Sequence, residues 1–263
     1  MLTSRALRLT TEMGFDPRSL SDVTWLVLGG PPPQSPGWDG ATCWPAFNCP
    51  SYPAVEAALA NLQSYPLPSL ILYDQEAWDL TPARERRDPV AFVQRAADLV
   101  RGSRVRLGAA PALTLAQELM PGAGSPEAAY LNCGIIEPLA RAVSLFHVQS
   151  QRLERQPPRF SAFVREVAER ACTSHPGVVV TAGLSTNPTG PEVGLEQLVE
   201  CIERTAEHVD GYWLNVPRPG RRCPHCRPEN PGLATALLAR LRLAHRSDRA
   251  GPDRAEITVI PAG

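Results

Sequence analysis

Lysine is absent from this chain: all 26 basic residues are arginine. That excludes Schiff-base aldolases, enzymes that anchor pyridoxal phosphate through lysine, and Walker-A nucleotide hydrolases, since each needs the missing amine. No apolar run approaches the roughly 20 residues that span a bilayer. The opening residues, MLTSRALRLTTEMGFDP, have no apolar core of the signal-peptide kind. A cytoplasmic protein without a membrane partner is therefore expected. Neither sign of charge dominates, with 20% charged residues and a net charge of −1, so there is no electrostatic footprint for nucleic acid. The H-x-H and H-E-x-x-H signatures of metal hydrolases are missing, as is a Gly-rich dinucleotide fingerprint after the first strand. Catalysis is thus expected to need no cofactor. The arginine bias, with many Ala and Pro residues, matches a high-GC, bacterial genome.

What is present is an alternation. Apolar, strand-like segments begin at residues 24 (TWLVLGG), 69 (SLILYDQE), 104 (RVRLGAAPAL), 128 (AAYLNCGII), 144 (SLFHVQSQRL), 177 (GVVVTAGLST), 211 (GYWLNVP) and 255 (AEITVIPAG). Helical stretches separate them, among them DPVAFVQRAADLVRG, whose Asp88 and Pro89 make a good helix start. Eight strands alternating with helices over about 250 residues predict an α/β protein of the (β/α)8 TIM barrel kind. It is read as a single domain over residues 1–263, with SRALRLTTEMG covering the part of the barrel that no final helix follows.

Active sites of such barrels lie at the carboxyl ends of the strands. Side chains alternate faces along a strand, so Leu70, Leu72, Asp74 and Glu76 point one way. An apolar face that turns acidic at its end suits a strand opening into a pocket. Two such carboxylates have Cα atoms about 6.5 Å apart, where one charge raises the pKa of the other. Glu76 is thereby the candidate general acid/base, tuned or oriented by Asp74. The same period brings further polar groups to the mouth: Asn132, then His147, Gln149 and Gln151 on one face. Thr181 and Ser185 follow, with Asn187 beyond them and Trp213 and Asn215 on a last shared face. Trp213 suits stacking on a sugar face, and the amides suit hydroxyl or amide recognition.

Acids at a strand end, with an aromatic and several amides on other strands, resemble the glycoside hydrolase superfamily barrels. DQE is similar to the final D-x-E of the chitinase-like pattern. The resemblance implies Glu76 as the acid and Asp74 as the residue that orients a substrate amide. The family pattern has further acids upstream, where this chain has Leu72 and Ser69. It also ends a fourth strand, whereas this motif ends the second strand counted along the sequence.

Of seven cysteines, Cys133, Cys172 and Cys201 fall in strand or helix patterns and read as small core residues. The other four read as loop residues, in CWPAFNC and CPHC. Cys43, Cys49, Cys223 and Cys226 are candidates for a tetrahedral structural zinc, with His225 as a substitute ligand. Disulfides and unpaired thiols remain open for the same residues. Arg218, Arg221, Arg222 and Arg227 crowd the same segment, where Arg218 is a candidate for holding a phosphate or carboxylate. The leading expectation is an acid/base enzyme acting on a small polar or glycosidic substrate. A biosynthetic isomerase, cyclase or lyase on the same scaffold is the first alternative, and a non-catalytic sugar-binding barrel the second.

Overall fold

The structure, a computed structural model, describes residues 1–17, 24–28, 43–62, 69–187, 192–220 and 226–248. Its first half runs β1 (Leu2–Thr3), α1 (Ser4–Glu12), β2 (Thr24–Leu28), β3 (Cys43–Cys49), α2 (Tyr52–Leu62), β4 (Ser69–Tyr73), α3 (Ala83–Arg87), α4 (Pro89–Val100) and β5 (Val105–Ala109). The second half runs α5 (Leu113–Leu119), α6 (Pro126–Asn132), α7 (Ile136–Ala142), β6 (Leu145–Val148), α8 (Pro157–Ser174), β7 (Val179–Ser185), α9 (Leu195–Glu203), β8 (Gly211–Asn215) and α10 (Pro231–Asp248).

The described strands all pair in parallel with their neighbours in chain order, and β1 also meets β8 through Leu2↔Leu214. The α/β class is as expected: a curled parallel sheet with helices along its outer face. No helix among the described residues is long and apolar enough to cross a membrane.

Three strand assignments change. The segment AAYLN, expected as a strand, is α6. Ser125 caps it by accepting from Ala128 N at 3.1 Å, Pro126 sits in its first turn, and Gly134 at φ 75° follows its end. A cap, an N-terminal proline and a left-handed glycine outweigh one apolar run. Conversely, CWPAFNC is a strand, not a loop. Its Pro45 lies before the first rung to β4, Ala46↔Leu70, where a missing N–H is tolerated. The amino-terminal residues supply β1 as well as α1. The expected final strand, residues 255–263, lies outside the described residues.

Because β1 and β3 are strands, SLILY is the fourth strand and not the second. Its outward residues Ile71 and Tyr73 join the main core against the helices, with Phe47, Phe146, Val180 and Leu184. Its inward residues Leu70 and Leu72 pack with Val27, Ala46, Ala110, Leu145 and Trp213 in a second cluster inside the curl. Gly108 on β5 leaves room for this cluster, since a Cβ there would stand 3.0 Å from Leu72 Cδ1 and 3.3 Å from the Leu145 carbonyl.

Candidate active site at the carboxyl end of the sheet

Strand pairing continues past Tyr73. Asp74 N donates to Cys49 O at 2.9 Å, and Ala112 N donates to Gln75 O at 2.9 Å. The alternation of faces therefore holds, and Asp74 points inward while Gln75 is buried against the helix side, where its Nε2 donates to Pro89 O at 3.5 Å. Asp74 is only 4% exposed. Two side-chain amides grip its carboxylate. Asn48 Nδ2 from β3 donates to Oδ2 at 2.8 Å, and Gln149 Nε2 from the end of β6 donates to Oδ1 at 2.6 Å. Gln149 Nε2 also reaches Ala110 O at 2.9 Å. Glu76 stands one repeat further out and is half-buried. Its backbone N donates to Thr81 Oγ1 at 3.3 Å, and that same hydroxyl accepts from Trp78 Nε1 at 2.9 Å.

Other expected residues fall at three places. Gln151, Ser185 and Asn215 join the same end. The Gln151 amide lies on the inner face of β7, where a Cβ on Gly183 would come within 2.5 Å of it. Ser185 is buried, its hydroxyl accepting from Asn187 N at 3.3 Å. Asn215 is half-buried beside them, and its carbonyl accepts from Thr186 N at 3.1 Å. His147, Thr181 and Trp213 form a deeper layer. His147 Nδ1 is hydrogen-bonded to Thr181 Oγ1 at 3.0 Å, and its ring centroid lies 4.8 Å from that of Trp213. Burial pushes the His147 pKa down to about 3, helped by the nearby amino terminus, so the ring is neutral. Asn187 Nδ2 is spent on Pro228 O at 2.6 Å.

Two residues are drawn away. Asn132, expected at a strand end, closes α6 on the surface, where Nδ2 donates to Ala128 O at 2.7 Å; the helix start at Ser125 removes it from the sheet. Arg218 is exposed. Its charge faces that of Arg5, which pairs with Glu229.

CWPAFNC, expected as a loop, places two of the four candidate cysteines on one strand. Cys43 and Cys49 are the two ends of one seven-residue strand, about 20 Å apart at strand rise, so these two cannot share an ion. Cys49 is a free thiol buried on the helix side. Burial first, and the Asp74 charge second, push its pKa up to about 12. Cys226 is disulfide-bonded, whereas Cys223 and His225 lie outside the described residues, as do Arg221 and Arg222. Among the described residues no cluster of three His, Cys, Asp or Glu side chains is arranged to hold a metal.

Sequence reasoning missed Asn48 and Glu154. Asn48 was legible in principle, since Trp44, Ala46 and Asn48 alternate once CWPAFNC is read as a strand. Glu154, in the polar run QSQRLERQ, carried no signal, yet it is fully buried behind the β6 and β7 ends. A cavity of ≈ 340 Å³ elsewhere, between α7 and α8, is lined by Glu137, Arg141 and Arg170. There Arg170 pairs with Glu137 and Arg141 donates to Ser174 Oγ at 2.8 Å, and Glu166 and Glu169 also line it.

No protein-family model and no curated protein matches the sequence. Among solved structures, the chain is similar to a glycosyl hydrolase family 2 member from Bacteroides cellulosilyticus DSM 14838. The two share 11% identity with a TM-score of 0.44, over 80% of this chain and 24% of that one. The chain thus spans about a quarter of that protein's length. The likeness is one of overall path, at an identity and TM-score that carry nothing about the reaction.

Proposed function

We propose that the chain is a single-domain (β/α)8 barrel enzyme that performs acid/base chemistry on a glycosidic or similarly polar small molecule, without a cofactor. The observation that carries this reading is the buried Asp74 carboxylate, gripped by Asn48 and Gln149 at the end of the fourth strand, with Glu76 one repeat further out. The chitinase-like D-x-E also ends a fourth strand, so the recount removes one departure from that pattern. The missing upstream acids, at Leu72 and Ser69, remain as differences. In this reading Glu76 gives a proton to the leaving oxygen as the C–O bond breaks. Water then supplies hydroxyl to the carbon and a proton that restores Glu76. Asp74, fixed by its two amides, orients the substrate. The Gln151 and Asn215 amides make no hydrogen bond among the described residues, which leaves donors and acceptors for sugar hydroxyls.

That amide-rich lining also favours a second reading, saccharide binding without turnover. A panel of 4-nitrophenyl glycosides, run beside thermal-shift measurements with the free sugars, separates the two. Hydrolysis expected of the wild type should fall at least 100-fold in Glu76→Gln, within the range for loss of a general acid, while the melting temperature and sugar affinity hold. Normal turnover in Glu76→Gln would sink the catalytic assignment. Affinity without any turnover would favour the binding barrel, and neither would favour an isomerase, cyclase or lyase.

A further inference from the structure

The end of β6 and the end of β7 do not match. β6 stops at Val148, whose rung is Val148↔Ala182, while β7 continues three residues to Ser185. Backbone groups on that side of β7 would be left without a strand partner, and buried backbone groups are rarely left so. Two side chains take the place of the missing strand. Ser150 Oγ donates to Gly183 O at 2.9 Å, and Glu154 Oε1 accepts from Ser185 N at 2.8 Å. The other oxygen, Glu154 Oε2, accepts from Arg152 N at 2.5 Å. Arg152 has φ 86°, the one left-handed non-glycine among the described residues. That conformation is unfavourable for a residue with a Cβ and persists only where its surroundings hold it. The same turn lays the Gln151 amide against Gly183.

Resting on the reading of this sheet end as a binding mouth, we propose that Glu154 is a positioning residue. Its ionised carboxylate completes the β6 edge, setting Ser185 on one side and, through the Arg152 turn, Gln151 on the other. An ionised carboxylate accepts with both oxygens, whereas a protonated one presents a donor hydrogen to one of the two N–H groups. Protonation therefore weakens the hold on either the rim or the turn.

Few charges face Glu154. Arg152 lies on its own turn and favours the ionised form. On α9 the Cys201 thiol donates to Glu154 O at 3.5 Å. Burial, with the Glu154 charge second, pushes that thiol up to about 12, so it stays neutral. Glu200 and Arg204, also near Cys201, make a pair of their own. Ser185, Thr186 and Asn187 on the rim carry no charge. Burial raises Glu154 to about 7, against the opposing pull of its backbone N–H partners and Arg152. That weakening should then fall near neutral pH.

Amide NMR and hydrogen exchange of the whole chain between pH 5.5 and 8.5 test this without any ligand, and so independently of glycoside turnover. In the wild type the Ser185 and Arg152 amide signals should titrate together with one midpoint near 7. After correction for intrinsic rates, at least one of these amides should exchange tenfold faster at pH 5.5 than at 8.5. Glu154→Gln should abolish the titration, and Cys201→Ser should leave it in place. Persistence of the titration in Glu154→Gln, or its absence from folded wild type, would overturn the proposal. If Glu154→Gln does not fold, carboxyl-labelled glutamate in the wild type decides. A carboxyl shift moving in step with Ser185 N–H supports the assignment, and a carboxyl that titrates apart from it refutes it.

Discussion

Along the same strands, the inner face of the sheet is apolar at one end and polar at the other. Ala46 gives way to Asn48, Leu72 to Asp74 and Trp213 to Asn215, and the buried His147, its ring beside Trp213, gives way to Gln149. The lower apolar positions pack on one another as a sealed cluster. The upper ones grip a carboxylate through two amides or leave amides open. One residue repeat, about 6.6 Å of strand, separates a region built by exclusion of water from one built by directional hydrogen bonds. Each half also holds an inward glycine, and the two meet different neighbours. Gly108 faces methyls and a backbone carbonyl that cannot yield, whereas Gly183 faces the far end of the Gln151 side chain. Stability and recognition should therefore respond separately to changes a few ångströms apart.

The largest effect on folding belongs to the lower half. Leu72→Ala leaves a void in the sealed cluster and should cost about 2–5 kcal/mol, read by urea unfolding, with any loss of sugar affinity following from unfolding alone. A loss of affinity at full stability would erase the division between the halves.

Glu154 sharpens the contrast from the side of the mouth. Its ordinary pKa of 4.5 rises to about 7 in the folded chain because burial disfavours the charge. The folded state then keeps a proton that the unfolded chain has already lost. Its stabilising contribution is fully present below pH 4.5 and is lost as pH rises to about 7, a change of about 3 kcal/mol. The ionised form that holds the rim is thus the less stable one for the fold. Unfolding free energies at pH 5 and pH 8 should differ by less in Glu154→Gln than in the wild type. An unchanged difference would assign the slope to other groups.

Gly108→Ala should come next, costing about 1–3 kcal/mol through overpacking against Leu72 and Leu145, as thermal melts would show. Gly183→Ala should have the smallest effect on stability, below about 1 kcal/mol, because the Gln151 amide can swing aside. Under the proposed function it should nevertheless weaken saccharide binding about tenfold, the equivalent of one lost hydrogen bond at about 1.4 kcal/mol. Equal stability costs for the two glycine variants would break the comparison outright.

Much of the lower half was legible in the sequence. The period-two run of SLILYDQE placed Leu70, Leu72 and Asp74 on one face, and the structure keeps them there. Asn132 was misplaced because an apolar run of four or five residues reads alike as strand or buried helix, and the cap at Ser125 decided it. Asn48 was hidden because Pro and Cys in CWPAFNC mimic a loop, and only the β2 and β4 neighbours make it a strand.

The sequence by itself determined the α/β class, the inward face of the fourth strand and the carboxylates at its end, since these follow from local periodicity and side-chain chemistry. Tertiary structure alone decided which groups meet there. Asn48 and Gln149 reach Asp74 from 26 and 75 residues away, and Glu154 finds Ser185 from 31 residues away. Those meetings depend on how many strands intervene and where each one stops. Local pattern fixes the direction of a side chain, whereas only the pairing of the whole sheet fixes its partner.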